Sequence, residues 1–186
     1  MARNIGMKNQ QYLNTYFSTE WKGNLPDLTL SGPALISKIN DGESVIDIGC
    51  GDNYFKGKIP NLIGIDPAND AADVKLSIED FVTDKKFDVA FCLGSINFGD
   101  YNSIKEQILL LNKLLKPLSR IYWRMNPGRQ DHRTDGCKEI TFFPWSKEYA
   151  EEFATLIGFT VVAFEWDTNM TNGNPNRYYS EWIRSS

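Results

Sequence analysis

The stretch Val45–Asn53, VIDIGCGDN, limits what this chain can become more than any other. An apolar run enters a Gly-Cys-Gly turn, and an acid, Asp47, sits inside the run. Short apolar runs closed by turn residues suit strands of a parallel sheet buried on both faces. A carboxylate in such a strand is costly to bury unless it is paired or meets a ligand. Gly49 and Gly51 remove side chains at the strand's end, where a ligand can approach the backbone.

The rest of the chain repeats the theme. Leu62–Asp66, LIGID, is a second apolar run ending in an acid. Asp73–Ile78, DVKLSI, reads as a weaker third strand, and Phe87–Leu93, FDVAFCL, as a fourth. Ser103 and Glu106 form a capping-box pattern before Ile104, Ile108, Leu111 and Leu115, and Pro117 is the expected helix stop. RIYWRMN, from Arg120, is a fifth strand. Ser146 caps a further helix with Tyr149, Phe153, Leu156 and Ile157 on one face and Gly158 at its end. Two final strands, FTVVAFEW and RYYSEWIR, flank a turn-rich TNGNPN and read as a hairpin. Gln10–Phe17 and Ala34–Ile39 read as helices. Alternating strands and helices imply an α/β three-layer sandwich. The expected sheet is mostly parallel and seven-stranded, with a C-terminal antiparallel hairpin. Residues 1–40 are expected to form an N-terminal helical cap and 41–186 one globular unit.

Composition narrows the function. At 186 residues the chain is long enough for one sizeable core. A net charge of −4 gives no overall basic field for nucleic acid. A local basic bias over Lys113, Lys116, Arg120, Arg124, Arg129, Arg133 and Lys138 is either a solvated surface or a site for an anionic acceptor. Cys50, Cys92 and Cys137 are too scattered for a zinc site or a disulfide framework, so no metal is expected. No stretch reads as a secretory signal or a membrane span, so a cytoplasmic location is expected. The Asn169–Thr171 glycosylation pattern is then a chance match.

Ligands of open α/β sheets bind beyond the carboxyl ends of the strands, which is where the glycine turn lies. A dinucleotide fingerprint needs a third glycine, and GCGDNY lacks it. Asp52 also places negative charge where a pyrophosphate would rest. Both points favour a cationic ligand without phosphate over NAD, and S-adenosylmethionine is such a ligand.

The motifs, taken in order, resemble those of class I S-adenosylmethionine-dependent methyltransferases. VIDIGCGDN resembles that family's first motif, LIGIDP the second, and FDVAFCLGSINF the fourth. LSIEDF stands at the adenine-binding third, and LLNKLLKPLSRIYWRMNPG resembles the helix, Lys-Pro turn and fifth strand. The resemblance implies cofactor contacts from Asp47, Gly49, Cys50, Gly51, Asp66, Pro67, Ile78, Glu79, Leu93 and Gly94. Asp66 holds the ribose hydroxyls in this reading, and Asp47 receives the ammonium group directly or through water. Asp47 as a sink for buried backbone donors, and Asp66 as a cap before Pro67, are the alternatives.

Three departures stand out. Asn53 replaces a glycine and requires positive φ or a tighter turn. The first crossover is too short for more than a turn or two of helix. Ser77 stands where the family commonly has an aspartate for the adenine amino group; Glu79 or Asp80 can substitute, and the Ile78 backbone can still contact the ring. The implied reaction is in-line methyl transfer to a small or anionic acceptor, with His132, Arg124 and Asn97 as candidate catalytic residues. No N-P-P-Y pattern follows the fourth strand, which disfavours a nucleic-acid base as acceptor. A non-catalytic binder of the same cofactor, or a nucleotide-dependent oxidoreductase, are the competing readings. Tyr12, Tyr16, Phe17 and Trp21 are either packing residues or a lid.

Overall fold

The computed structural model describes residues 10–20, 27–128 and 140–184. The apolar runs pair into one mixed sheet of six strands: β1 (Val45–Ile48), β2 (Leu62–Ile65), β3 (Phe87–Leu93), β4 (Leu115–Met125), β5 (Phe159–Thr168) and β6 (Pro175–Arg184). Their spatial order is β2-β1-β3-β4-β6-β5. The first four run parallel, and β6 lies antiparallel to both β4 and β5. The strand order reverses beside β1, so the glycine turn leaves the sheet at the crevice where open α/β sheets bind ligands.

Six strands correct the expected seven. Asp73–Ile78 supplies only a single bridge, Val74 to Ile65. The Asp73 side chain accepts from Gly64 N at 2.9 Å, while Asp73 N donates to Gly64 O at 2.9 Å. A side chain thus replaces a ladder carbonyl, and the strand stops before it can propagate.

After a helical segment over residues 10–20 (α1), two regular helices, α2 (Tyr101–Lys113) and α3 (Lys147–Leu156), cover one face. Ile104, Ile108 and Leu111 of α2 and Ala150, Phe153 and Ala154 of α3 share a core with Ile46, Cys92, Trp123 and Trp182. The other face departs from a helical layer. There the 3₁₀ helix Pro33–Lys38 and the turns carrying Phe55 and Ile59 pack Leu35, Phe55 and Ile59 onto Val45, Val89, Phe91 and Tyr122. The expected α-helix at Ala34–Ile39 is therefore this 3₁₀ helix, and the first crossover is a series of turns.

Two further boundaries differ from expectation. The cap of α2 is Asp100, which accepts from Ser103 N at 2.9 Å, so Ser103 lies inside the helix. The helix ends at Lys113, four residues before Pro117, because Leu115 already pairs with Phe87. Pro117 and Leu118 (φ 62°) occupy the irregularity before β4 resumes at Arg120. Ser146 caps α3 as expected, accepting from Tyr149 N at 3.3 Å.

A buried carboxylate ties the segment before β1 to the end of the sheet. Asp167 of β5 is fully buried and accepts from Leu30 N (2.8 Å), Ser31 N (2.9 Å) and Ser31 Oγ (2.5 Å). Arg124 of β4 then donates to Ser31 Oγ at 2.8 Å and to Ser31 O at 2.6 Å. Removing the carboxylate leaves these donors buried without an acceptor. Asp167→Ala is expected to cost about 3–5 kcal/mol in urea unfolding, as for other buried charged partners. A loss below about 1 kcal/mol would contradict the clamp.

Candidate functional site

The turn after β1 is built by backbone donors aimed at β2. Gly49 N and Cys50 N both reach Ile65 O, at 2.8 and 3.1 Å. Gly49 has φ 68°, and a Cβ there would lie 2.3 Å from Ser95 Cβ after β3. No other residue type tolerates both conditions, so Gly49 sets how closely the ends of β1 and β3 approach. Asn53 takes φ 54°, the positive value that replacing a glycine required. Its Nδ2 donates to Ala71 O at 3.0 Å and Asp73 Oδ2 at 3.2 Å, which fixes the far side of the turn.

Beyond the turn lies a cavity of about 710 Å³. Small-molecule sites span about 300–1,000 Å³. Asp47, Gly49, Cys50, Gly51, Asp66, Pro67, Leu93 and Gly94 all line it. Ile78 and Glu79 instead border an adjoining recess of about 70 Å³, which shares Gln10, Gly49, Pro67, Ser95 and Gln107 with the main cavity. The opposite wall is apolar and aromatic. It is formed by Tyr12, Leu13 and Phe17 of α1, with Phe98, Ile140 and Phe142. Phe98 bridges Phe17 (5.4 Å between ring centroids) and Phe142 (5.5 Å).

The acids in the cavity differ in kind. Asp66 already holds backbone: its Oδ2 accepts from Gly51 N (3.0 Å), and its Oδ1 from Ala68 N (2.8 Å) and Asn69 N (3.0 Å). The capping role is therefore real: Oδ1 already accepts twice, and Oδ2 retains one lone pair. Asp47 is only 3% exposed, and among the described residues no hydrogen bond reaches its carboxylate. It is not a sink for backbone donors. Burial pushes its pKa up to about 7; the Arg124 charge opposes this and Asp66 adds to it. Burial, together with Asp47, Asp66 and Asp73, also pushes the Cys50 thiol up, so it stays protonated and chemically quiet.

The candidate catalytic residues fare differently. Asn97 lines the cavity, but its amide is spent clamping two strand ends. Its Nδ2 donates to Arg124 O at 3.2 Å and its Oδ1 accepts from Asn126 N at 2.8 Å. Arg124 faces the cavity while also binding Ser31 and Leu93 O. Burial lowers its pKa to about 10, so it remains a cation at neutral pH. His132 lies outside the described residues, as do Trp21, Arg129, Arg133, Cys137 and Lys138. Elsewhere the basic bias dissolves into pairs on strand ends, Lys116 with Asp88 (2.8 Å) and Arg120 with Glu43 (2.7 Å). Among the described residues no group of His, Cys, Asp and Glu is placed to hold a metal, and no helix is long and apolar enough to cross a membrane. Asn126, which alternates with Arg124 on the fifth strand, lines the cavity too, as do Ser95, Gln107 and Arg177, which were not singled out in the sequence. Those three come from separate parts of the chain, and only Ser95 lies within a motif stretch.

No protein-family model and no curated protein matches the chain by sequence. Solved structures match it by shape. A Burkholderia thailandensis 1,6-didemethyltoxoflavin-N1-methyltransferase, with bound 1,6-didemethyltoxoflavin and S-adenosylhomocysteine, is 13% identical with a TM-score of 0.74. That match covers 100% of this chain and 90% of the other. The magnesium protoporphyrin IX methyltransferase of Synechocystis, with bound S-adenosylmethionine, is 13% identical with a TM-score of 0.65 over 95% of this chain and 97% of that one. An amino pentose methyltransferase from Micromonospora echinaspora is 16% identical with a TM-score of 0.58, over 82% and 88%. The fold is that of class I S-adenosylmethionine-dependent methyltransferases.

Within this methyltransferase fold Asp47 has a measurable signature. An unfolded Asp titrates near 3.9, and the folded one near 7. Between those values the folded chain binds the extra proton, so this residue's contribution to stability falls as pH rises through the window and is flat above it. Asp47→Asn removes the effect. The variant should match wild type near pH 3, exceed it by about 1.5 kcal/mol at pH 5 and by up to about 4 kcal/mol at pH 8. Chemical unfolding across that range checks this; a gap independent of pH would contradict it.

Proposed function

We propose that the protein transfers a methyl group from S-adenosylmethionine to a small-molecule acceptor. The observation that carries this reading is the Asp47 carboxylate, buried, without a hydrogen bond among the described residues, and turned toward a cavity at the strand ends. A cationic ligand offsets that burial, whereas a phosphate worsens it. The ammonium group of S-adenosylmethionine is such a cation. Asp66 would accept a ribose hydroxyl at Oδ2, the oxygen that keeps a free lone pair, in a carboxylate already oriented by Gly51, Ala68 and Asn69. Ser95 Oγ, buried without a partner between the cavity and its recess, is a further polar group that a ligand would satisfy. Ile78 and Glu79 would flank the base, and Gly49, Cys50, Gly51, Pro67, Leu93 and Gly94 supply walls that a side chain would crowd.

When bound, the cofactor supplies a methyl group on a positively charged sulfur. The chain's part is to orient two reactants and to keep water away. The aromatic wall of Tyr12, Phe17, Phe98 and Phe142 performs the second task, with α1 carrying part of it. Arg124, charged and facing the same cavity, suits an anionic group on the acceptor. A small acceptor also agrees with the Burkholderia structure of similar fold, which has bound 1,6-didemethyltoxoflavin and S-adenosylhomocysteine.

Calorimetry on the purified chain should detect S-adenosylhomocysteine and no NAD. Asp66→Asn should weaken that binding about 10- to 100-fold, since hydrogen bonds to charged groups are worth about 1.5–3 kcal/mol. It should also lower the melting temperature without ligand, because an amide NH₂ would face Gly51 N–H or the Ala68 and Asn69 pair. A variant that melts early yet keeps the full ligand-induced shift would reduce Asp66 to a cap. Binding of NAD alone would overturn the proposal.

A further inference from the structure

We infer that Gln107, held by Glu79, reads the 6-amino group of the cofactor's purine and makes the site selective for adenine over a 6-oxo base. The inference rests on the donor-site reading above and adds a residue to it. The Ser77 hydroxyl, where the resemblance calls for an acid, is turned to Asp80, donating to its carboxylate at 2.9 Å. Neither group is among the walls of the main cavity; Ser77 borders the recess with its proton committed to Asp80, and Asp80 does not border it. Glu79 is the acid that borders the recess, and one of its oxygens already accepts from Gln107.

Gln107 of α2 lines both the main cavity and the recess, and its Nε2 donates to Glu79 Oε1 at 2.7 Å. An ionised carboxylate only accepts, so this bond fixes which way the amide faces. The NH₂ is turned to Glu79, and Oε1 is left as an acceptor with no partner among the described residues. The buried Ile78 contributes a backbone N–H that likewise has no acceptor among the described residues. The recess thus offers an acceptor and a donor. Adenine presents the complementary pair, an amino donor at position 6 and an acceptor at N1. A 6-oxo purine presents the reverse at both positions. Glu79 acts through Gln107 and is a positioning residue.

The test compares S-adenosylhomocysteine with S-inosylhomocysteine, its 6-oxo counterpart, by titration calorimetry. Wild type should bind the adenosyl compound about 10- to 100-fold more tightly, the effect of one or two mismatched hydrogen bonds once the base covers the recess. Gln107→Leu should bring the two affinities within about threefold, mainly by weakening the adenosyl compound. Glu79→Gln removes the constraint on the amide's direction and should narrow the gap by improving the inosyl compound. A gap that survives in Gln107→Leu, or equal binding of both compounds by wild type, would overturn the inference while leaving the donor site intact. Binding of neither compound by wild type would overturn the donor-site reading and this inference with it.

Discussion

A carboxylate buried in β1 with no hydrogen bond among the described residues is the constraint around which this molecule is arranged. Asp47 lies in a strand whose neighbours Val45, Ile46 and Ile48 are core residues, between β2 and β3. Nothing in the fold neutralises it fully. Arg124 is close enough to lower its pKa, yet burial outweighs that charge. The guanidinium is itself committed to Ser31 and Leu93 O. The stability surrendered at this position is of the kind that functional sites retain.

The surrounding structure holds that carboxylate at the edge of a cavity. The Gly49 turn brings β1 and β3 together, Asp66 anchors the next turn through three N–H groups, and Asp73 closes the far side with Asn53, Lys56 and Gly64 N. At the other end Asp167, Ser31 and Arg124 bind the segment before β1 to β4 and β5. Each of these carboxylates is occupied by protein donors. Asp47 differs from all three, and the difference marks it as the group awaiting a charge from outside.

Much of this was legible in the sequence because local rules carry it. The glycine turn, the positive φ at Asn53, the Ser146 cap and the closing hairpin all follow from residue types at short spacing. The third strand was misread because apolar spacing around Val74 and Leu76 suggests a ladder, while the Asp73 side chain takes over the hydrogen bond that would extend it. The cap of α2 was misplaced by three residues because Asp100 and Ser103 both suit the position, and the choice depends on where the chain leaves β3. The Asp167–Ser31–Arg124 clamp spans 136 and 93 residues, beyond the reach of any spacing rule. The roles of Asn97 and Gln107 were hidden for the same reason, since their partners lie on other elements.

The central claim is that Asp47 is kept protonatable for a cationic ligand, and proton exchange on binding tests it most directly. Calorimetric titration of S-adenosylhomocysteine at pH 6, in buffers of different ionisation enthalpy, counts the protons exchanged per ligand. At that pH the carboxyl group, with a pKa of about 7, is mostly protonated. An arriving ammonium group favours the charged form. Release of about one proton per ligand, fading by pH 8.5 and absent in Asp47→Asn, is the predicted result. Binding without proton release at pH 6, or release that persists in Asp47→Asn, would contradict it.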